Sequence, residues 1–334
     1  MSSLDDAVDD VAARTGFSGV VRVDRAGTPT LAKAYGAADR AHGLPNAPDT
    51  QFAIASGTKG ITALTVVGLI EDGILELGTT ARTLLGEDLP LIRDDVTIEH
   101  LLANRSGIGD YFDESSDPDP IEYVLTVPAQ ALTTTERYLA VLDGHPTLFP
   151  PGERFAYCNS GFVVLALVAE RAARRPFPDL VGSSVLEPAG MRDTAFLRSD
   201  ELPGRAALGY LTADGPRTNV FHLPVAGSGD GGIYSTAADV ASLWAALFAG
   251  RIVSSGRVAE MLAPRSDVAD QGMRYGLGFW LHATTDTVML EGADAGVSFR
   301  SVHDPSRTIT HTVLSNTTDG AWPVTTFLDE RLGT

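Results

Sequence analysis

Ser56 and Lys59, three residues apart in the stretch QFAIASGTKGITALTVVGL, carry the first chemical signal in this chain of 334 residues. The apolar run Phe52, Ile54, Ala55 stops at the serine, and Ile61, Leu64, Val67, Leu69 and Ile70 then recur at helical spacing. Ser56 is therefore expected at or just inside a helix N-terminus, where unpaired backbone N–H groups stabilise a developing oxyanion. One turn later the Lys59 amine lies over the same helix face. A nucleophile beside a base that can take its proton is what acyl transfer requires. The ordinary alternative is a helix cap beside a solvated lysine. Lysine usage weighs against it: Lys33 and Lys59 are the only lysines among 25 basic residues. Arginine, used everywhere else, cannot give up its proton.

A second constellation is Tyr157-Cys158-Asn159, placed between a Pro-Gly turn at Pro151-Gly152 and an apolar helical pattern starting near Ser160. A loop tip of this kind presents polar side chains to a site. A phenol near a lysine amine can shuttle protons, the cation favouring the phenolate, and the two groups titrate as a unit. Asn159 can bridge the lysine and a substrate carbonyl. Taken alone, this triplet reads as a packed aromatic and a turn asparagine, and Cys158 as a small buried thiol. Three other patterns are set aside. Gly227, Gly229 and Gly232 in GSGDGG match a dinucleotide fingerprint but lack the acidic residue about 20 positions on and the parallel βαβ frame. The seven histidines contain no His-Glu-x-x-His pair, and no Gly-x-Ser-x-Gly elbow frames a serine. Neither a metal nor a cofactor is expected.

The elements that must position these residues follow from pattern. MSSLDDAVDDVAARTG reads as an amphipathic helix with Leu4, Val8, Val11 and Ala12 inward. FSGVVRV and TLAKAYG read as a hairpin turning at Arg25-Ala26-Gly27. From Gly73 to about Gly209 helical patterns dominate: residues 96–107 as a helix stopped by Gly107, an acidic Pro-bearing loop over 109–120, then helix in IEYVLTV and TTERYLAVLDG. Strand character returns late, in residues 274–282, 285–292, 297–303 and 308–316, with short turns that make neighbours antiparallel. AWPVTTFLDERL closes as a helix. The expected architecture is a mixed α/β (α+β) fold: one antiparallel sheet from both chain ends, residues 1–72 and 225–334, and a mainly helical part, 73–224. The cleft is expected at their junction.

Composition narrows the function classes. The net charge of -18 disfavours phosphate backbones and anionic membrane surfaces, so neither nucleic-acid nor membrane partners are expected. The apolar runs are too short to span a bilayer, which takes about 20 residues. The N-terminal stretch lacks the basic and apolar regions of a secretory signal, which predicts a cytoplasmic protein. With one cysteine, neither an intramolecular disulfide nor a thiolate metal cage is available.

Ser56-Gly57-Thr58-Lys59 with Tyr157-Cys158-Asn159 resembles the serine β-lactamase and penicillin-binding protein superfamily, in its class C β-lactamase-like branch of esterases, D-amino-acid amidases and peptidases. LLANRSG is similar to that branch's Leu-Leu-x-His-Thr-Ser-Gly segment, with Asn104 and Arg105 replacing His and Thr. FPPGERFAYCNSGF, GGIYSTAADVASLW and YGLGFW also resemble its phrases, in order, from about Phe17 to Ser315. The resemblance implies a β-lactamase/transpeptidase-like fold, catalytic Ser56, Lys59, Tyr157 and Asn159, and an oxyanion hole from the amides of Ser56 and Ala293. Its third motif, Lys-Thr-Gly or His-x-Gly, aligns with Leu290-Glu291-Gly292. A leucine there cannot recognise a substrate carboxylate, which weakens penicillin or D-alanyl-peptide substrates and favours neutral small esters or amides; the expected order of activities is esterase, then amidase or D-peptidase, then β-lactamase, and Glu291 is carried as a cleft residue. The alternative from another class is an acylated, non-catalytic sensor on the same fold.

Overall fold

Both ends of the chain enter one antiparallel sheet in the computed structural model, which describes residues 3–114 and 119–334. Its strands are β1 (Gly19–Arg25), β2 (Thr28–Tyr35), β3 (Ser266–Val268), β4 (Met273–Tyr275), β5 (Trp280–His282), β6 (Val288–Asp294), β7 (Val297–Asp304) and β8 (Ile309–Ser315). They lie in the order β2-β1-β8-β7-β6-β5-β4-β3. The N-terminal hairpin therefore pairs directly with the last strand, Gly19 opposite Ser315 and Val23 opposite His311. β1 buries both faces, because helices cover the sheet on both sides.

On one face lie the two terminal helices, α1 (Leu4–Thr15) and α5 (Ala321–Leu332). Ser3 caps α1 in a reciprocal pair with Asp6, and Gly16 ends it in the left-handed conformation. Val8 and Val11 meet Val21, Val23, Val313 and Leu328 in a compact second core. Lys33 stays outside and pairs with Asp9 at 2.9 Å. The larger core covers the other face and gathers α2 (Thr58–Glu71), α3 (Asn159–Ala173) and α4 (Ala237–Phe248). Ile61, Leu64, Val67, Leu69 and Ile70 are all buried there. The fold is thus a mixed helix and antiparallel-sheet architecture with helices on both faces of the sheet.

Three stretches depart from the pattern-based expectation. The helix expected over 96–107 is confined to Ile98–Leu102, because Asn104 turns left-handed at φ 52° and sends the chain toward the Tyr157 loop. IEYVLTV is not helical. Val124 there is 80% exposed, so an isolated turn finds no apolar face to pack against. Residues 274–282 form two strands rather than one, joined by a turn in which Gly276 N–H bonds Phe279 O at 3.0 Å. Gly278 in that turn has φ 83°, and a Cβ on it would come within 2.3 Å of Ala63 on α2. Within the acidic loop expected over 109–120, residues 115–118 lie outside the described residues. No helix among the described residues is long and apolar enough to cross a membrane.

Candidate active site

The approach to Ser56 is a short, tight piece of chain. Ile54 has φ -109° and ψ 7°, Ala55 is left-handed at φ 43°, and Ala55–Gly57 forms one 3-10 turn that runs into α2. A non-glycine residue held left-handed beside Ser56 is local backbone strain. Packing enforces the turn. A Cβ on Gly57 would lie 2.4 Å from the Phe299 ring, and one on Gly60 would lie 2.4 Å from Leu290 Cδ2. The first turn of α2 therefore sits directly on β6 and β7.

Lys59 follows one turn along and is buried. Its Nζ lies 2.7 Å from Ser56 Oγ, 2.7 Å from Asn159 Oδ1 and 3.0 Å from the Asp230 carbonyl oxygen. Burial holds the Lys59 pKa below the ordinary lysine range, opposed by the carboxylates of Asp230, Glu114 and Asp110. As a neutral amine it has two N–H groups, which Asn159 and Asp230 accept, and one lone pair, which remains for the Ser56 hydroxyl. The geometry sets the Lys59 amine directly against the Ser56 hydroxyl.

Tyr157 completes the group. Its hydroxyl hydrogen-bonds Ser56, its ring centre lies 5.0 Å from Lys59 Nζ, and Trp280 stacks on it at 5.9 Å with planes 13° apart. The phenolate expected from sequence is not favoured in this setting. Burial, with Glu114 adding, pushes the phenol well above the ordinary tyrosine range, so Tyr157 keeps its proton beside an amine that burial shifts toward its neutral form. Asn159 also differs from expectation. Its Nδ2 donates to Phe112 O at 3.0 Å and Glu114 Oε1 at 2.9 Å, so its amide fixes Lys59 and leaves no N–H for a substrate carbonyl.

The third-motif positions separate. Leu290 belongs to the core beneath Gly60 and not to the cleft. Glu291 points to the opposite face of the sheet and pairs with Arg300, which also reaches Asp329 on α5. It is therefore no cleft side chain: strand alternation turns it away. Gly292 makes the approach. A Cβ on it would stand 2.4 Å from Ile54 O and 2.5 Å from Ser56 N. That closeness brings Ala293 to the cleft beside Ser56.

Several site groups were not read from sequence. GSGDGG, set aside as a nucleotide decoy, wraps the base of the site: Asp230 O accepts from Lys59, and Gly229 O accepts from Thr62 at 2.7 Å. A Cβ on Gly229 would fall 2.0 Å from Phe162 O, so glycine is required for the loop to reach between α2 and α3. Four glycines in six residues were the available signal. Asn104 brackets Tyr157: its carbonyl accepts Ala156 N–H at 2.8 Å and its Oδ1 accepts Cys158 N–H at 3.2 Å. Arg105 donates to Arg265 O at 2.6 Å and to Gly152 O, fixing the start of the same loop. Asp110 accepts from the Asn159 and Ser160 amides at 2.7 and 2.9 Å, which caps α3 where Asn159 begins it. Cys158 is buried and burial pushes its thiol well up, which leaves it a packing residue. Glu114, Asp230 and Asp294 are the acidic side chains on the cleft wall, the carboxyl of each pushed above its ordinary range by burial, and no arginine or lysine occurs among the described residues that line it. No cluster of metal-ligating side chains is formed among the described residues.

Fold and site together define a protein of the β-lactamase/transpeptidase-like class. The model of the family described as Beta-lactamase matches residues 4–328, and the chain belongs to that family. It is 35% identical over 213 residues to esterase EstB of Burkholderia gladioli, 61% of this chain and 53% of that protein. It is 29% identical over 282 residues to a D-aminopeptidase of Brucella anthropi, 80% of this chain and 50% of that protein. The chain thus spans about half the length of these curated relatives. The crystal structure of a penicillin binding protein from Bacillus halodurans superimposes with a TM-score of 0.91 at 33% identity, covering 97% of this chain and 99% of that one.

Proposed function

We propose that the protein is a serine hydrolase that acts through an acyl-enzyme on small, neutral carboxylic esters, with amides as slower substrates. The observation that carries this reading is the 2.7 Å approach of the buried, pKa-depressed Lys59 amine to Ser56 Oγ. In this mechanism Lys59 takes the Ser56 proton as the hydroxyl attacks the carbonyl carbon. The Ser56 and Ala293 amides hold the oxyanion. The leaving group departs with a proton from Tyr157, which Lys59 restores, and water activated by the same pair cleaves the acyl-serine. Asn159 and the Asp230 carbonyl keep the amine on target throughout.

The ranking of substrates rests on charge. A cleft lined by acidic side chains and by no arginine or lysine among its described residues, with leucine buried at position 290, offers a substrate carboxylate no cationic partner and thereby disfavours penicillins and D-alanyl peptides. The same acidic side chains favour a second reading, amides of amino acids with a free ammonium group, the chemistry named for the D-aminopeptidase relative. Ser56→Ala tests the common mechanism: turnover of p-nitrophenyl acetate is expected to fall by at least about 10³ with the melting temperature kept. Undiminished turnover refutes the assignment. A parallel panel of p-nitrophenyl acetate, D-alanine amide and a chromogenic cephalosporin ranks the substrates, and a cephalosporin turned over fastest overturns that ranking.

A further inference from the structure

The catalytic cleft does not end at its mouth. Tyr123, Leu125 and His222 line both the cleft and a groove that continues outward between residues 121–130 and 220–225. Two backbone bonds hold the walls together, Val225 N–H to Ala129 O at 3.3 Å and Ala226 N–H to Leu132 O at 3.1 Å. Val127, Val220 and Val225 contribute apolar surface, and Val124 and Phe221 are 80% and 88% exposed. Among the described residues these two are the most exposed of the large apolar side chains, and both line this one groove. Single exposed apolar residues are ordinary; an apolar trough that opens onto a nucleophile is a binding feature.

We infer that this groove takes an extended apolar substituent of the substrate, an alkyl chain or an aryl group, carried by the ester whose carbonyl lies at Ser56. The inference rests on the hydrolase reading above and names the substrate class for it. Continuity through Tyr123, Leu125 and His222 commits the groove to the substrate. Charge supports a neutral occupant: Glu122 and Asp200 are the charged residues along the groove, so an anionic lipid surface or a free fatty carboxylate is repelled. The apolar group can belong to the acyl part or to the alcohol, and the two sources are separable by experiment.

The test compares wild type with Val124→Ser/Phe221→Ser, both changes at exposed positions that leave the core untouched. The kcat/KM ratio of p-nitrophenyl octanoate to p-nitrophenyl acetate, and that of octyl acetate to ethyl acetate, are measured for each. At least one ratio is expected to fall by about fivefold, the order of effect when a chain loses part of an apolar wall; which ratio falls assigns the groove to the acyl or the alcohol side. Both ratios unchanged overturn the inference. So does a Phe221-dependent dimer in sedimentation, which would make the groove an interface between copies. A second readout is independent of turnover: calorimetric binding of octanamide to Ser56→Ala is expected to weaken about fivefold on adding the two groove changes. If wild type hydrolyses no ester, the hydrolase reading fails while the octanamide result still decides the groove.

Discussion

Gly292→Ala is the sharpest test of how the site is assembled. The added Cβ would lie 2.4 Å from Ile54 O, 2.5 Å from Ser56 N and 2.9 Å from Gly57 N, all backbone atoms of one tight turn. Ordinary contact for such a carbon begins near 3.4 Å, so β6 and the turn must separate by about an ångström (3.4 less 2.4). Neither can rotate out of the way, since the turn is pinned by Gly57 on Phe299 and by Gly60 on Leu290. Ala293, next on the strand, moves with Gly292, which would draw the amide proposed to share the oxyanion with that of Ser56 out of place. Loss of one oxyanion donor costs about 10² to 10³ in kcat, or about 2.7 to 4 kcal/mol. Overpacking of this kind costs about 1 to 3 kcal/mol of stability. Steady-state kinetics on p-nitrophenyl acetate with a thermal melt measure both. The expected variant is folded, melts a few degrees lower, is slowed mainly in kcat, and still carries a Ser56 that a fluorophosphonate labels slowly. A variant within threefold of the wild-type kcat and with an unchanged melt would refute the tight approach of strand and nucleophile.

Two further predictions concern protons. Because burial depresses Lys59, kcat/KM should rise with pH and reach its plateau below the ordinary lysine value of about 10.4, while Lys59→Met should be slower by about 10² to 10⁴ and lack that limb; a wild-type limb at or above the ordinary value counts against Lys59 as the base. Asp294, raised to about 7 by burial and by the neighbouring Asp230 and Glu114, keeps its proton in the folded chain between about pH 4 and 7, where the unfolded chain has lost it. Folding stability should therefore fall as pH rises through that window, and Asp294→Asn, which can still accept the Ala295 N–H bond of 2.7 Å, should remove the fall. The shift of about three units bounds the effect at about 4 kcal/mol, and about half of that is expected once partial solvent exposure is allowed for. Urea unfolding at pH 4.5 and pH 8 measures it, and equal differences between variant and wild type at both pH values would contradict the assignment.

The sequence made the approach of Ser56 and Lys59 legible because it is local. Ser56, in the 3-10 turn that runs into α2, and Lys59, in the first turn of α2, are three residues apart, so their spacing alone aligned them, and Tyr157 and Asn159 stand just before and at the start of an unmistakable apolar helix. The hairpin at Arg25-Ala26-Gly27 and the late strands were legible for the same reason, each being set by a pattern of a few residues. What stayed hidden is carried by backbone groups and by distance in sequence. The Asp230 carbonyl has no sequence signature, and the Asn104 bonds on either side of Tyr157 depend on a left-handed turn that asparagine permits but does not announce. The protonation states reversed for a similar reason. Proximity of amine and phenol suggested an ion pair, but desolvation outweighs it and favours both neutral forms. Leu290, read as a gap in a substrate-binding motif, is the packing partner of Gly60 that seats the nucleophile's helix.

The central claim is that the Ser56 oxygen, with its proton taken by Lys59, becomes covalently acylated during turnover. Rapid-quench mixing with p-nitrophenyl acetate, followed by intact mass and peptide mapping, tests it most directly. The account predicts a transient gain of one acetyl group on the peptide that contains Ser56, formed at the rate of the nitrophenol burst and absent in Ser56→Ala. Turnover with no adduct at any time, or an acetyl group found on another residue and retained in Ser56→Ala, would contradict it.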